Sequence, residues 1–414
     1  MSGSWRYHLA IGAAALFAVT ISAATLRVVP GGQTESLRAA LIAAQPGDTI
    51  AIAHATYFEH DLVIDKPLVL RGIDQPVLDA NGKGPIIEVT AANVSISGFT
   101  FRQVPVSFTK EHAAIRVSST SACEIADNLF EGNFFAVYLA KADHCRILRN
   151  RMHGGSTEVT TSGNGIHLWQ CRDIVIMDNN IVGHRDGIYL EFVKHSTIIG
   201  NISDRNLRYG LHFMFSDSCR YEKNRFLANG SGVAVMYTSN VEMIQNSFAD
   251  SWGGAAYGLL LKDIKNSSVT KNEFTKNSVG IHMEGSDRVD IVENRFTANG
   301  WAIKIMANCV DNTIRSNDFI DNSFQVATNS RQSFSTFSGN YWSTYRGIDL
   351  DRDGFGDESF RPVSLYSLLV ESEPSSLILV RSLLVDVLNL AERIVPTLTP
   401  ESLVDASPRM RPAL

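Results

Sequence analysis

A chain of 414 residues with 44% hydrophobic and 19% charged side chains has an ordinary globular composition and is long enough for a large core. Its formal charge of −6 leaves no electrostatic footprint for nucleic acid, which excludes that partner class. Length alone suggests two or three domains, but a repeat overrides that expectation, because a solenoid grows by stacking rather than by closing separate cores.

The chain opens with one basic residue, Arg6, an apolar run from Leu9 to Ile21, and the small residues Ser22-Ala23-Ala24. The run is short for a membrane span and ends in a site that suits a signal peptidase, so residues 1–24 read as a cleavable signal peptide, with an uncleaved anchor as the alternative. The mature protein then starts near Ala24 or Thr25, outside the cytoplasm. Thr34 to Ala44 has the pattern of a short amphipathic helix, placed to cap the first coil of a repeat.

From Asn128 onward the element Asn-x-apolar recurs at Asn150, Asn179, Asn201, Asn224, Asn246, Asn272, Asn294, Asn317 and Asn340, mostly 22 or 23 residues apart. A second element keeps the same beat at Gly165, Gly187, Gly210, Gly232, Gly258 and Gly280, with Ala302 replacing glycine once. Short alternating runs between them, such as Val289-Asp290-Ile291-Val292, have strand periodicity and are too short for helices. These features predict an all-β, right-handed parallel β-helix (solenoid) of about ten coils over residues 25–345, with an N-terminal capping helix and a C-terminal helical tail. Asn suits one corner because its side chain satisfies backbone groups and tolerates a left-handed conformation; Gly suits the other for lack of a Cβ. Stacking about 4.8 Å apart then forms an asparagine ladder of structural purpose. Two longer intervals mark insertions at Gly154 to Asn164 and Asp250 to Ala255, loops of a kind that often shapes a binding face.

The five cysteines, Cys123, Cys145, Cys171, Cys219 and Cys309, contain no C-x-x-C pair, and three of them fall five residues before a repeating Asn. They read as small inward side chains, although Cys123 and Cys145 lie on adjacent coils where a disulfide is conceivable. Residues 346–414 hold an Asp-rich turn and then a segment, Ser375 to Ile394, that reads as one helix dense in aliphatic residues. It fits either a cap on the last coil or a docking helix for a membrane partner.

Counting from each Gly, positions +1 and +3 are wholly apolar and point inward, so +2 and +4 point outward. The +2 column runs His167, Tyr189, His212, Ala234, Leu260, His282, Lys304; the +4 column runs Trp169, Glu191, Met214, Met236, Lys262, Glu284, Met306. Histidine, methionine and aromatic residues replace the Lys, Thr and Asn of a plain solenoid, which marks His167, Trp169, Tyr189 and Glu191 as a partner-binding face. Met214 and Met236 stack about 4.8 Å apart with His212 roughly 7 Å away on the same face. Thioether with imidazole is a soft ligand set that favours copper(I). Methionine is equally at home under a loop or at an interface.

A polysaccharide lyase or epimerase, a chemistry many parallel β-helices perform, is the alternative. It needs carboxylates clustered with a base, whereas Glu191 and Lys262 lie three coils apart, about 14 Å. Lys262 with Glu284 reads as a cross-coil ion pair, and His184-Arg185-Asp186 is the best catalytic candidate, without an evident partner cluster. Past the repeats, Asp349, Asp351, Asp353 and Asp357 match the opening of a calcium loop. The twelfth position is Phe360 rather than Glu, so a hydrogen-bonded Asp-rich turn competes with a structural calcium.

The coils written GNGIHLW (163–169), HRDGIYLEFV (184–193), RYGLHFMFS (208–216), GVAVMYT (232–238), AAYGLLLKDI (255–264), NGWAIKI (299–305) and GNYWSTYRG (339–347) closely resemble the NosD family of periplasmic maturation proteins of nitrous oxide reductase. The resemblance runs from leader to C-terminal helix. It implies an exported accessory factor, not an enzyme, that works with an ABC transporter membrane subunit and a copper-carrying lipoprotein chaperone to assemble the reductase's copper centres. It makes the C-terminal helix the natural contact for the transporter, associating the protein with the inner membrane through its partners. No ligand motif carries over residue by residue, so copper at His212, Met214 and Met236 rests on the columns above.

Overall fold

The structure, a computed structural model, describes residues 23–107, 109–330, 334–380, 382–395, 398–399 and 403–413. The expected leader lies outside them except for Ala23 and Ala24. Three parallel sheets of 14, 13 and 12 strands wind side by side, each strand pairing with its equivalent one coil away. The solenoid is therefore longer than the roughly ten coils marked by asparagine. The earlier rungs, such as Thr49–Ile52, Val69–Gly72 and Ser95–Ser97, stack in the same sheet without the Asn signature.

The asparagine ladder forms as expected. The Oδ1 of Asn224 accepts from the Asn201 backbone N–H at 2.9 Å and from its Nδ2 at 3.0 Å, while Asn224 Nδ2 donates to the Ile198 carbonyl and to Asn246 Oδ1. The left-handed conformation belongs to the residue before each Asn, for example Asp178 (φ 55°), Lys223 (φ 55°) and Gln245 (φ 54°). Asn is required for what its amide bonds, and the turn falls on its neighbour. A second ladder runs five residues later through Asn206, Asn229, Asn277, Asn299 and Asn322. Inside, Phe226, Phe248, Phe274, Phe296, Phe319 and Trp342 stack with centroids 4.1 to 5.4 Å apart. The glycine column serves close approach: a Cβ on Gly232 would sit 2.3 Å from the Gly258 carbonyl oxygen.

Helix α1 (Leu37–Ala43) is N-capped by Ser36 and buries Leu37, Ala40 and Leu41 over the first coils. At the other end the expected single helix over 375–394 is instead broken. Helix α2 (Leu365–Ser372) ends before Pro374, a 3-10 turn covers Pro374–Leu379, and helix α3 (Leu383–Ile394) follows. Val380, at ψ 112°, is outside helical space and separates the last two. These helices lie on the outer face of the 12-stranded sheet, where Tyr366 and Val370 pack with Trp301 and Phe324. The open last coil is sealed by a returning segment in which Leu403 and Asp405 are fully buried.

Candidate functional site

The +1 and +3 columns are buried throughout, as their apolar pattern predicts. On the outer face of the 12-stranded sheet, strands Asp186–Glu191, Tyr209–Met214 and Ser231–Met236 pair in the expected register, placing Met214 opposite Met236 and Glu191 opposite Met214. His167 is opposite Tyr189 and Tyr189 opposite His212. Glu191 and Lys262 are three rungs apart through Met214 and Met236, and Lys262 pairs with Glu284 at 3.5 Å.

Much of this face is covered rather than open. His212 is only 4% exposed, and Ala234 and Leu260 are buried. Rings pave it: Tyr138, His167, Tyr189 and His212 succeed one another with centroids 4.5, 4.7 and 5.0 Å apart, and Tyr209 lies 4.7 Å from His212. Burial pushes the Tyr138 and Tyr189 phenols up to about 12 and drives the His167 imidazole down to about 3. His167 is therefore neutral, with Nδ1 3.0 Å from the Asn164 amide of the first insertion.

Beneath His212 lies a cluster that residue spacing alone does not assemble. Asp186 is fully buried, and Arg208 grips it with two parallel bonds, Nε to Oδ1 at 2.8 Å and Nη2 to Oδ2. The Asp186 Oδ2 is 3.5 Å from His212 Nδ1, which also lies 3.2 Å from Arg208 Nη2. Burial pulls the Asp186 carboxyl upward, but Arg208 and His212 outweigh it and leave it below the usual carboxylate value. His212 Nε2 is buried without a hydrogen-bond partner. Asp186 and Arg208 are 22 residues apart, one short of the local 23-residue coil that sets Tyr209 opposite Asp186, so the register alone does not mark them as partners. His184 is also buried, at the position where neighbouring coils place the second ladder's Asn, and neither ring nitrogen has a partner. Burial takes its pKa down to about 4.

Bordering the methionines, Phe192, Phe215 and Tyr237 form an exposed stack with centroids 5.2 Å apart. All three have left-handed backbones (φ 50° to 56°), a conformation that costs a bulky residue about 1–2 kcal/mol. The two faces of Phe215 are taken up by its neighbours, while Phe192 and Tyr237 each keep one face outside the stack. Trp169 receives Lys141 over its ring at 5.4 Å.

The five cysteines are free and buried, Cys123 and Cys145 included. Burial raises Cys171 to about 11 and Cys219 to about 12, which keeps them unreactive thiols. In the acidic loop, oxygens of Asp349, Asp351 and Asp353 lie within 4.8 Å of one another, the one such His/Cys/Asp/Glu group among the described residues. Asp357 is outside it and accepts from the Leu350 N–H at 2.6 Å. The other three also accept backbone N–H groups of the turn.

In this parallel solenoid the outer columns, with their His, Tyr and Met side chains, and not the core, carry individuality. Three solved structures share the architecture: the alginate lyase AlyGC (TM-score 0.62, 14% identity, 84% of this chain and 55% of that one), the Azotobacter vinelandii mannuronan C-5 epimerase AlgE4 A-module (0.55, 15%, 73% and 88%), and the adhesin PfbA of Streptococcus pneumoniae (0.55, 13%, 74% and 87%). At such identities they speak for the fold alone. The family model described as "Periplasmic copper-binding protein (NosD)" matches residues 148–347, the stretch that contains the site. Two relatives named "Probable ABC transporter binding protein NosD" match as well. That of Pseudomonas aeruginosa is 29% identical, over 85% of this chain and 86% of its own length, and that of Stutzerimonas stutzeri is 25% identical, over 86% and 85%. The chain is thus similar to NosD proteins over most of its length.

Proposed function

We propose that this protein is a non-catalytic periplasmic accessory factor that works with an ABC transporter to deliver or insert copper during assembly of the copper centres of nitrous oxide reductase, with sulfur as a second candidate cargo. The observation that supports it is the register that sets Met214 beside Met236 on the strand face that also carries His212, whose Nε2 is buried without a partner. Thioether and imidazole make a soft set suited to copper(I), and the family and relatives carry names of copper binding and transporter binding.

The partners divide between two surfaces. Helix α3 leaves Leu383, Val387, Leu390 and Ile394 exposed, an i, i+4, i+7, i+11 stripe suited to an apolar groove of the transporter's membrane subunit. No helix among the described residues is long and apolar enough to cross a membrane. The exposed stack of Phe192, Phe215 and Tyr237, with His167, Trp169, Tyr189 and Glu191, forms the surface for a copper-carrying lipoprotein and the reductase. Residues 1–24 act as the export signal in this reading.

The test is a copper(I) titration of the Met214→Leu/Met236→Leu variant beside a thermal melt. Weaker binding at unchanged melting temperature is expected, and an unchanged titration overturns the site. The Asp186, Arg208 and His212 cluster gives a lyase or epimerase reading its one foothold, but a fully buried, paired carboxylate and high-pKa phenols are poor acid and base. Depolymerisation of a uronate polymer by the purified protein would reverse that ranking. At Asp349, Asp351 and Asp353, a melt that rises with added calcium separates a structural ion from a hydrogen-bonded turn.

A further inference from the structure

Arg185 is an arginine without an acceptor. Its Nε is buried with no hydrogen-bond partner, and among the described residues no carboxylate pairs with its guanidinium. A charged donor left unmet in this way carries a desolvation penalty that an anion would relieve. The residue itself is firmly placed. Its N–H donates to the Gly163 carbonyl at 2.9 Å, and its own carbonyl accepts from the Arg208 N–H at 2.8 Å, which sets the two arginines on adjacent rungs.

Arg208 shows what such an arginine does when an acceptor is in reach. It turns Nε and Nη2 onto the two oxygens of Asp186, the residue after its rung neighbour Arg185. For Arg185 the rung neighbour is Gly163, and the residue after it is Asn164. That amide is already engaged, since its Oδ1 accepts from the Asp186 N–H at 3.2 Å and its Nδ2 lies 3.0 Å from His167 Nδ1. Gly163 cannot supply an acceptor either: a Cβ there would stand 2.0 Å from the Phe134 carbonyl oxygen. One rung provides a carboxylate for its arginine, and the rung before it provides none.

The two arginines act at one place on the outer face, where their charges both oppose the burial that raises the Tyr189 phenol. Of the acids that act on the same phenol, Asp186 is held by Arg208. Glu191 ends the strand that Arg185 precedes, about 20 Å of extended chain away. The open edge of a guanidinium suits a planar anion taken by two parallel bonds, the geometry of a carboxylate. Magnitude decides what carries that carboxylate. One such pair strengthens binding by about 10–100-fold, which holds a free acid only at concentrations on the order of tens of millimolar. A carboxylate on a docked protein is kept in place by its other contacts and meets no such limit. We infer that Arg185 receives an acidic side chain of the protein partner that settles on the face of His167 and Tyr189. The inference rests on the reading of His167, Trp169, Tyr189 and Glu191 as that partner face. The incoming carboxylate stands to Arg185 as Asp186 stands to Arg208.

The experiment uses the full chain with isotope-labelled arginine. The Arg185 Nε–H resonance is followed while a capped glutamate peptide, or sodium chloride at matched ionic strength, is added. In parallel, a copper-carrying lipoprotein and nitrous oxide reductase are titrated onto the immobilised chain. The resonance is expected to move with the peptide and not with chloride. Arg185→Gln should bind the partner about 10–100-fold more weakly at an unchanged melting temperature, and Arg185→Lys should recover only part of the loss, because an ammonium lacks the planar fork. An Nε–H that responds no more to the peptide than to chloride overturns the inference. Full-strength partner binding by Arg185→Gln also overturns it, and the partner face then stands without Arg185. If the unaltered protein binds neither partner while the peptide still moves the resonance, the carboxylate site holds and the partner reading fails.

Discussion

The asparagine corner and the outer face of the 12-stranded sheet are built on the same rungs and obey opposite rules. At the corner each coil from Asn128 to Asn340 repeats one residue and one set of bonds, so that Asn201, Asn224 and Asn246 are interchangeable in what they do. On the face, the residue changes from rung to rung in most columns: Tyr189, His212 and Ala234 succeed one another in one, Asp186, Tyr209 and Ser231 in another, while Met214 and Met236 are the matched pair. Uniformity gives stability because each amide meets an identical neighbour. Variety gives chemistry, and it leaves polar atoms such as His184 and His212 Nε2 unmet.

The sharpest way to break this contrast is at the corner. Asn224→Ala strands the Asn201 N–H and the Ile198 carbonyl, and should lower stability by about 3–5 kcal/mol, read as a shift in the urea midpoint. On the face, Arg208→Met takes the guanidinium from the buried Asp186 carboxylate, leaving it the Tyr209 N–H and the His212 ring, and should cost about 2–4 kcal/mol at pH 7, because Arg208 is itself partly solvated. Its pH dependence tests the cause. The unaltered protein holds Asp186 below its ordinary pKa, so that contribution is present above about pH 4 and disappears as the pH falls through the folded-state value. The gap between the two proteins should therefore narrow toward acid.

A smaller effect of opposite sign is expected at His184→Asn, which restores the second ladder and removes two unmet nitrogens. It should stabilise by about 1–3 kcal/mol in the same urea assay. Burial depresses the His184 pKa, so the unfolded chain takes up the proton first. The native protein loses stability as the pH falls from about 6.5 toward about 4, and the variant's profile should be flatter there. The smallest change belongs to Lys262→Ala, whose partly exposed pair with Glu284 should be worth less than about 1 kcal/mol in thermal melts.

What is legible in the chain is what repeats. The Asn and Gly columns set the register, and the register correctly puts Met214 beside Met236 and Ile188 beside Leu211. The second ladder, five residues behind the first, is equally periodic, but its Asn is interrupted by His184 and Ser251 and so gives a fainter signal. The early rungs escape because coils such as the one around Phe99 have no Asn to announce them, although Phe99 N–H bonds the first ladder residue, Asn128, at 3.0 Å. The Asp186 and Arg208 pair is not recognisable from the register, since the 23-residue coil there sets Tyr209 opposite Asp186 and Arg208 reaches across from the residue before it. Coverage of the face is hidden for a different reason: where Tyr138 and Tyr209 lay their rings, and where α2 settles on Trp301, are matters of side-chain packing rather than of period.

A stack of like rungs has no length of its own, since a bottom layer that offers the same donors would welcome another molecule as readily as another coil. Asp405 answers this. Its carboxylate accepts from the Asn340 N–H and Nδ2, both at 3.0 Å, and from Trp342 Nε1 at 3.1 Å, as a further asparagine's carbonyl would. A carboxylate has no N–H to pass on, so it imitates the next rung toward the protein and refuses to be one toward the outside. Together with the returning segment that carries it, this side chain ends the ladder at Asn340 and gives the rod a fixed length.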